Sequence, residues 1–221
     1  MADNGSVSYF EILAPRAWTA PAVFNSPHSG KHYPADLLRM TRLSPAALRK
    51  SEDCYIDELF MSCVDYGAPL LRALVPRAYI DLNREAYEFD PRMFACELPG
   101  YMNTSSPRVA GGLGTIPRLV AEGEEIYRER LSLSDALARV ETIYRPYHRT
   151  LNALLDEVLN NTGTVLLLDC HSMPSNATSF ISPPHQTSVD VVIGDRYEAS
   201  CPAEITGFVE ELLRAQGLRV V

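Results

Sequence analysis

No apolar segment of this 221-residue chain approaches the roughly 20 residues that a bilayer-spanning helix needs. The opening residues, Met1-Ala2-Asp3-Asn4-Gly5-Ser6, lack the basic stretch and apolar core of a secretory signal. Cysteine is sparse: five residues, at 54, 63, 96, 170 and 201, with no Cys-x-x-Cys pair. An odd, scattered set argues against a disulfide framework and suits reduced thiols in the cytoplasm. Positive charge is also short, 20 Lys and Arg against 28 Asp and Glu, for a formal net charge of −8. That balance argues against nonspecific binding to nucleic acid or anionic membrane, both of which need a cationic field. The glycine-rich stretch Gly111-Gly112-Leu113-Gly114-Thr115 lacks the Gly-Lys-Ser/Thr ending of a phosphate loop, and reads as a flexible loop beside a pocket.

What remains is an ordinary globular composition, 46% hydrophobic and 22% charged, long enough for one domain with a substantial core. Residues 9–13 and 22–26 read as strands. Ser44-Pro45 reads as a helix cap and first turn, with apolar residues at helical spacing from Leu48 to Val64 and a stop at Gly67. Residues 69–75 and 77–82 read as two strands or one bent strand, and 84–130 as a long segment of weak periodicity. Ser134 opens a long amphipathic helix that ends near Gly163, with Pro146 expected to kink it. The run 164–169 has the continuous apolar character of a central parallel strand. Residues 189–193 read as a strand, 202–216 as a helix and 218–221 as the start of a further strand. Strands alternating with helices predict an α/β sandwich with a largely parallel sheet.

Two histidines stand where apolar runs end: His28 in Asn25-Ser26-Pro27-His28-Ser29-Gly30, and His171 in Asp169-Cys170-His171-Ser172-Met173-Pro174. The rim of an open parallel sheet is where ligands collect, so two imidazoles converging there suggest a metal site. A third ligand is then needed. Ser51-Glu52-Asp53-Cys54-Tyr55-Ile56-Asp57-Glu58 offers carboxylates, and spacing alone does not choose between Asp53 and Asp57. The same acidic run also fits a charged helix face or first turn. Asp81-Leu82-Asn83-Arg84 belongs to the same rim; Arg84 could clamp a substrate carboxylate or pair with Asp81 to fix the loop. Asp169 could orient His171 from behind or cap the turn after the strand. A Cys170 nucleophile paired with His171 is rejected, because neighbours on an extended chain point to opposite sides. His148 is either a packed histidine at the helix kink or part of the substrate wall, while His32 and His185 fall in Pro-rich loops.

Taken in order, Asn25 to Gly30 with Tyr33-Pro34, Ser51-Glu52-Asp53, Asp81 to Arg84, Tyr144 to His148 and Asp169 to Pro174 resemble the N-formylglutamate amidohydrolase (N-formylglutamate deformylase) family from about residue 20 onward. The resemblance implies a three-layer αβα sandwich with a mostly parallel sheet, phosphorylase/hydrolase-like and related to zinc carboxypeptidases. It implies zinc held by His28, Asp53 and His171, preferring Asp53 to Asp57. The implied reaction is cleavage of N-formyl-L-glutamate to formate and glutamate in histidine degradation, with Arg84, Asn83, Arg108 and His148 binding the substrate. Members of the family continue past the strand matching Leu218 to Val221 into a last strand bearing a glutamate placed as catalytic acid/base. This chain is therefore expected to be a single domain, residues 1–221, truncated at its C-terminus, with that glutamate beyond Val221; Glu85 or Glu97 as a substitute has no support in the sequence. Two alternatives accompany the resemblance: a related metallo-amidase on other N-acyl amino acids, and a catalytically inactive homologue that keeps the metal pocket. Oligomeric state is not readable from the sequence.

Overall fold

Four short strands, β1 (Phe10–Leu13), β2 (Ala22–Ser26), β3 (Leu70–Ala73) and β4 (Leu166–Asp169), form a sheet in the order β1-β3-β2-β4. β2 runs parallel to both of its neighbours, and β1 lies antiparallel on β3. The computed structural model describes residues 8–120, 123–174 and 189–221; the opening segment examined for a secretory signal, and His185, lie outside them. The chain divides into two compact units, one up to Ser172 and one from Met173 onward. Among the described residues no helix is long and apolar enough to cross a membrane.

The first unit is α/β. Val23, Leu71 and Ala73 are buried in its core. A long helical run covers the sheet: α-helix Leu133–Arg139, a π turn Val140–Tyr144, then α-helix Arg145–Thr162, ended by Gly163 in the left-handed region. Ala136, Val140, Ile143, Tyr147, Leu151, Leu154 and Val158 form its buried stripe. Pro146 does not break the run. The wider π turn, in which the Arg145 N–H reaches the Val140 carbonyl, places the proline in the first turn of the second helix, where its missing donor costs nothing.

Four expectations need correction. β4 is an edge strand among the described residues rather than a central one. Its side chains alternate between half-buried and exposed, with Leu167 41% exposed, because only β2 pairs with it. The helix expected from Ser44 to Gly67 is interrupted. Ser44 caps a single turn, Pro45–Leu48, and the helix resumes only at Ile56, so Glu52 and Asp53 lie on extended chain between the two. Residues 77–82 form turns rather than a strand; the N–H groups of Tyr79 and Ile80 go back to the Pro76 carbonyl and that of Asp81 to Thr115. In the second unit the helix forms at Ala203–Ala215, but the flanking strands reduce to one parallel bridge between Val191 and Val220.

Tyr147 ties helix to sheet. It is fully buried, meets Phe10 edge to face at 5.4 Å, and donates its hydroxyl to Asn25 Oδ1 on β2. Tyr147→Phe should lower unfolding free energy by about 1–3 kcal/mol, because buried Asn25 then loses a hydrogen-bond partner. Chemical denaturation of the two proteins tests this, and an unchanged midpoint would mean that the bond carries no net weight.

Candidate metal centre

β2 and β4 are paired with Asn25 opposite Asp169, so both strands leave the sheet on the same rim and at the same level. Asn25 Nδ2 donates to Asp169 Oδ1 at 2.8 Å, and the Cys170 N–H donates to the Asn25 carbonyl at 2.8 Å, which locks that register. His28 and His171 follow within three residues of the pair, and their ring centroids come to 4.8 Å. The turn that carries His28 needs its glycine. A Cβ on Gly30 would stand 2.0 Å from the Val75 carbonyl oxygen, so the chain passes too close for any side chain. The Asp53 N–H then donates to the His28 carbonyl at 3.0 Å, bringing the interrupted helix segment onto the same turn. Tyr55, two residues on, takes the left-handed conformation that turns the chain into the next helix.

His28, Asp53 and His171 each offer an atom within 4.8 Å of the other two, a group that could hold a metal ion. Asp57 is not part of it: its carboxylate binds Arg72 at 2.9 Å, and its N–H donates to the Ser29 hydroxyl oxygen. His28 is 2% exposed. Its Nδ1 lies 3.4 Å from Asp53 Oδ2 yet has no hydrogen-bond partner, an unpartnered buried nitrogen beside the other two side chains. Its Nε2 donates to Asp81 Oδ1 at 2.7 Å. His171 repeats the pattern. Nδ1 lies 2.8 Å from Asp53 Oδ2, while Nε2 has Asp169 Oδ2 at 3.1 Å and the Asn83 amide at 2.8 Å. Two imidazole nitrogens and one carboxylate, each imidazole backed by a carboxylate on its far side, is a donor set that suits zinc with one position left for water or substrate.

The electrostatics follow from this crowding. Burial would raise the Asp53 carboxyl, but the hydrogen bond from His171 and the proximity of both imidazoles hold it well below the usual carboxylate range. Burial would lower His171, yet Asp169 and Asp53 raise it to about 9. Burial and the neighbouring Asp169 push the Cys170 thiol up to about 12, consistent with its having no nucleophilic role.

The other residues singled out in the sequence are less tightly gathered. Arg84 is half-buried beside Asp81 at 3.5 Å, as a loop-fixing pair would be, and also donates to the carbonyls of Leu113 and Asn83. Burial lowers its pKa, opposed by Asp81 and reinforced by the positive charges of Arg77 and Arg108, so it stands among like charges. Arg108 itself is exposed. His148 donates to the Leu82 carbonyl at 2.9 Å and stacks on Tyr144 at 4.2 Å. Tyr144 in turn donates to the Arg84 carbonyl. The glycine-rich loop packs closely, since a Cβ on Gly114 would stand 2.1 Å from the Glu88 carbonyl oxygen. Glu85 is exposed and binds Asn103.

The sequence reading missed Asp81 as the partner of His28, Ser172 as a donor to Asp53 at 3.1 Å, and Asn25 as the link to Asp169. The available signal was position: Asp81 closes the buried run Ala78-Tyr79-Ile80, and a carboxylate buried there needs partners.

Comparison with known proteins decides the kinship. The family model described as N-formylglutamate amidohydrolase matches residues 20–221. The chain belongs to the N-formylglutamate amidohydrolase family. Among this family's members, the N-formylglutamate deformylase of Pseudomonas putida is 28% identical over 210 residues, covering 90% of this chain and 72% of the relative. The deformylase of Pseudomonas aeruginosa is 25% identical over 219 residues, covering 93% and 70%. The crystal structure of N-formylglutamate amidohydrolase from Ralstonia eutropha JMP134 superimposes with a TM-score of 0.88 at 32% identity, over 97% of this chain and 76% of that one. A protein from Agrobacterium tumefaciens, 14% identical with a TM-score of 0.62, shares the fold.

The raised His171 gives a sign for the metal-free protein. A group whose pKa rises from 6.5 to about 9 on folding contributes stability that is complete below about pH 6.5 and is lost as pH rises through about 9. The denaturation midpoint of the chelator-treated protein should fall over that window, and His171→Ala should remove the fall. A profile that is flat from pH 6.5 to 9 in the parent would contradict the charged His171.

Proposed function

We propose that this chain hydrolyses the formyl amide of N-formyl-L-glutamate to formate and L-glutamate, with zinc held by His28, Asp53 and His171. The observation that carries the metal is the buried His28 Nδ1, unpartnered and aimed at Asp53 and His171. The substrate is supported by the deformylases to which the chain is similar. Zinc bound there would supply an acidified water and a positive charge for the formyl oxygen.

The chain's own residues do the rest. Asp81 and Asp169 hold the two imidazoles from behind. Arg84, with Arg108 and Arg77 near it, makes a local cationic region in an acidic protein, and a substrate carboxylate would relieve its crowded positive charge. Asn83, beside His171, would meet the amide, and His148 stacked on Tyr144 would wall the site. Asp81 and Asp169 are committed to the histidines, so neither is offered as the acid that protonates the leaving amine. The same reading takes the fold as a three-layer αβα sandwich related to zinc carboxypeptidases. It places the reaction in cytoplasmic histidine degradation, where the five free thiols would stay reduced.

Formate release measured with and without added zinc tests the proposal, with N-formylmethionine and N-acetylglutamate as competing substrates. Zinc-dependent release from N-formylglutamate, preferred over both, is expected; tight binding without formate would mark an inactive homologue. His171→Ala should lose both zinc and turnover. Arg84→Ala should raise KM by roughly ten- to a hundredfold, the worth of a hydrogen bond to a charged group.

A further inference from the structure

We propose that the arginine-lined cleft over Tyr127 is a second binding site, taking a compact anion that carries two negative charges. Five guanidiniums line it, those of Arg42, Arg92, Arg118, Arg128 and Arg130, against the carboxylates of Glu125 and Glu129. Asp90 stands behind and accepts from Arg92 and Arg118. Five arginines against three carboxylates leave two positive charges, in a chain whose formal charge is −8. The cleft shares no residue with the group of His28, Asp53 and His171, and Arg84 does not line it. The inference does not depend on the zinc reading.

Backbone pairing fixes the arginines in place. Thr41 bridges Tyr127 antiparallel, with the Arg42 N–H on the Ile126 carbonyl and the Arg128 N–H on the Met40 carbonyl. Their side chains then cross the bridge. Arg42 Nε donates to the Tyr127 carbonyl at 2.9 Å, and Arg128 Nε to the Thr41 carbonyl at 2.7 Å. The Ile126 N–H goes to the Arg118 carbonyl, and Leu131 bridges Phe94, which brings Arg118 and Arg92 to the same cleft. Beneath it, the Tyr127 hydroxyl accepts from Arg139 Nη1 at 3.0 Å. Arg139 is 3% exposed, its Nε and Nη2 have no hydrogen-bond partner, and Asp36 pairs with it only loosely at 3.9 Å. A buried cation is poorly screened, so it adds to the positive potential of the cleft.

Donors remain for a ligand. Among the described residues Arg128 donates only through Nε, Arg92 Nη1 and Arg118 Nη2 donate no hydrogen bond, and the Arg130 side chain makes none. Guanidiniums grip phosphate and carboxylate groups two bonds at a time, and an anion would relieve their mutual repulsion. The cleft holds about 160 Å³, well below the roughly 300 Å³ where pockets for drug-sized ligands begin. The ligand is therefore compact, a phosphate or a small dicarboxylate.

Calorimetric titration of the full chain with inorganic phosphate and with succinate, at fixed low ionic strength, tests this. At least one should bind in the millimolar range or tighter, and more weakly as sodium chloride is added. Tighter phosphate assigns phosphoryl groups, and tighter succinate assigns dicarboxylates. The double variant Arg128→Ala/Arg130→Ala should weaken the preferred anion roughly tenfold or more, while Arg84→Ala leaves that affinity unchanged. Arg130→Ala alone removes no hydrogen bond of the described chain, so it carries the test where the double variant does not fold. No heat with either anion in the parent overturns the proposal. So does binding that the cleft variants leave intact or that Arg84→Ala removes, because the anion then sits elsewhere.

Discussion

The parallel register of β2 on β4 is the constraint on which the site depends. With Asn25 opposite Asp169, the chain leaves both strands at one level, and His28 and His171 reach the same point in space. A slip of one residue would reverse the facing of every side chain on the slipped strand and separate them. The register is therefore held by more than the ladder. Asn25 is buried, donates to Asp169 and accepts from Tyr147, so one amide joins both strands to the covering helix. Asp169 then serves twice, as the register pin through Oδ1 and as the support of His171 through Oδ2.

That arrangement shows how three polar side chains can be gathered at the edge of a hydrophobic core. Burial opposes charge on Asp53 and His171 alike; the two imidazoles keep Asp53 charged, and Asp169 and Asp53 together keep His171 charged. In the metal-free protein the centre is an ion pair with a neighbouring orphaned nitrogen. A cation between the three ligand atoms would satisfy Asp53 and His28 Nδ1 together, and would displace the proton from His171 Nδ1.

Much of this was legible in the sequence, for a definable reason. Histidines that follow apolar runs report their position through the sheet's periodicity, so the convergence of His28 and His171 was expected from pattern, and Asp53, which the structure brings beside them, from family resemblance. The α/β class and the long amphipathic helix were legible on the same ground. Pattern failed where backbone hydrogen bonds override it. The interrupted helix at 49–55 is amphipathic in sequence, yet Asp53 leaves it because its N–H is taken by the His28 carbonyl. Residues 77–82 look like a strand because they are buried, but their donors close turns. The role of Asp81 could not be read, since it depends on a contact across 53 residues.

The long irregular segment after Asp81 is then better understood as a wall than as a loose loop. Backbone donors here pair across the segment: Thr115 N–H goes to Glu88, Phe89 N–H to Asn103, and Asp81 N–H to Thr115. Gly114 passes so close to the Glu88 carbonyl that a side chain is excluded, and Thr115 is fully buried. Irregular backbone packed this tightly has few conformations open to it, so it can hold Asp81 and Arg84 as firmly as a strand would. A ligand site gains from such a wall, because side chains that are already fixed need little ordering when a ligand binds. The scarcity of regular structure among the described residues between 84 and 130, a single turn at Pro91–Met93 and a short helix at Pro107–Ala110, therefore does not mark the unspecified part of the fold. It marks the part whose hydrogen bonds are spent on aiming side chains.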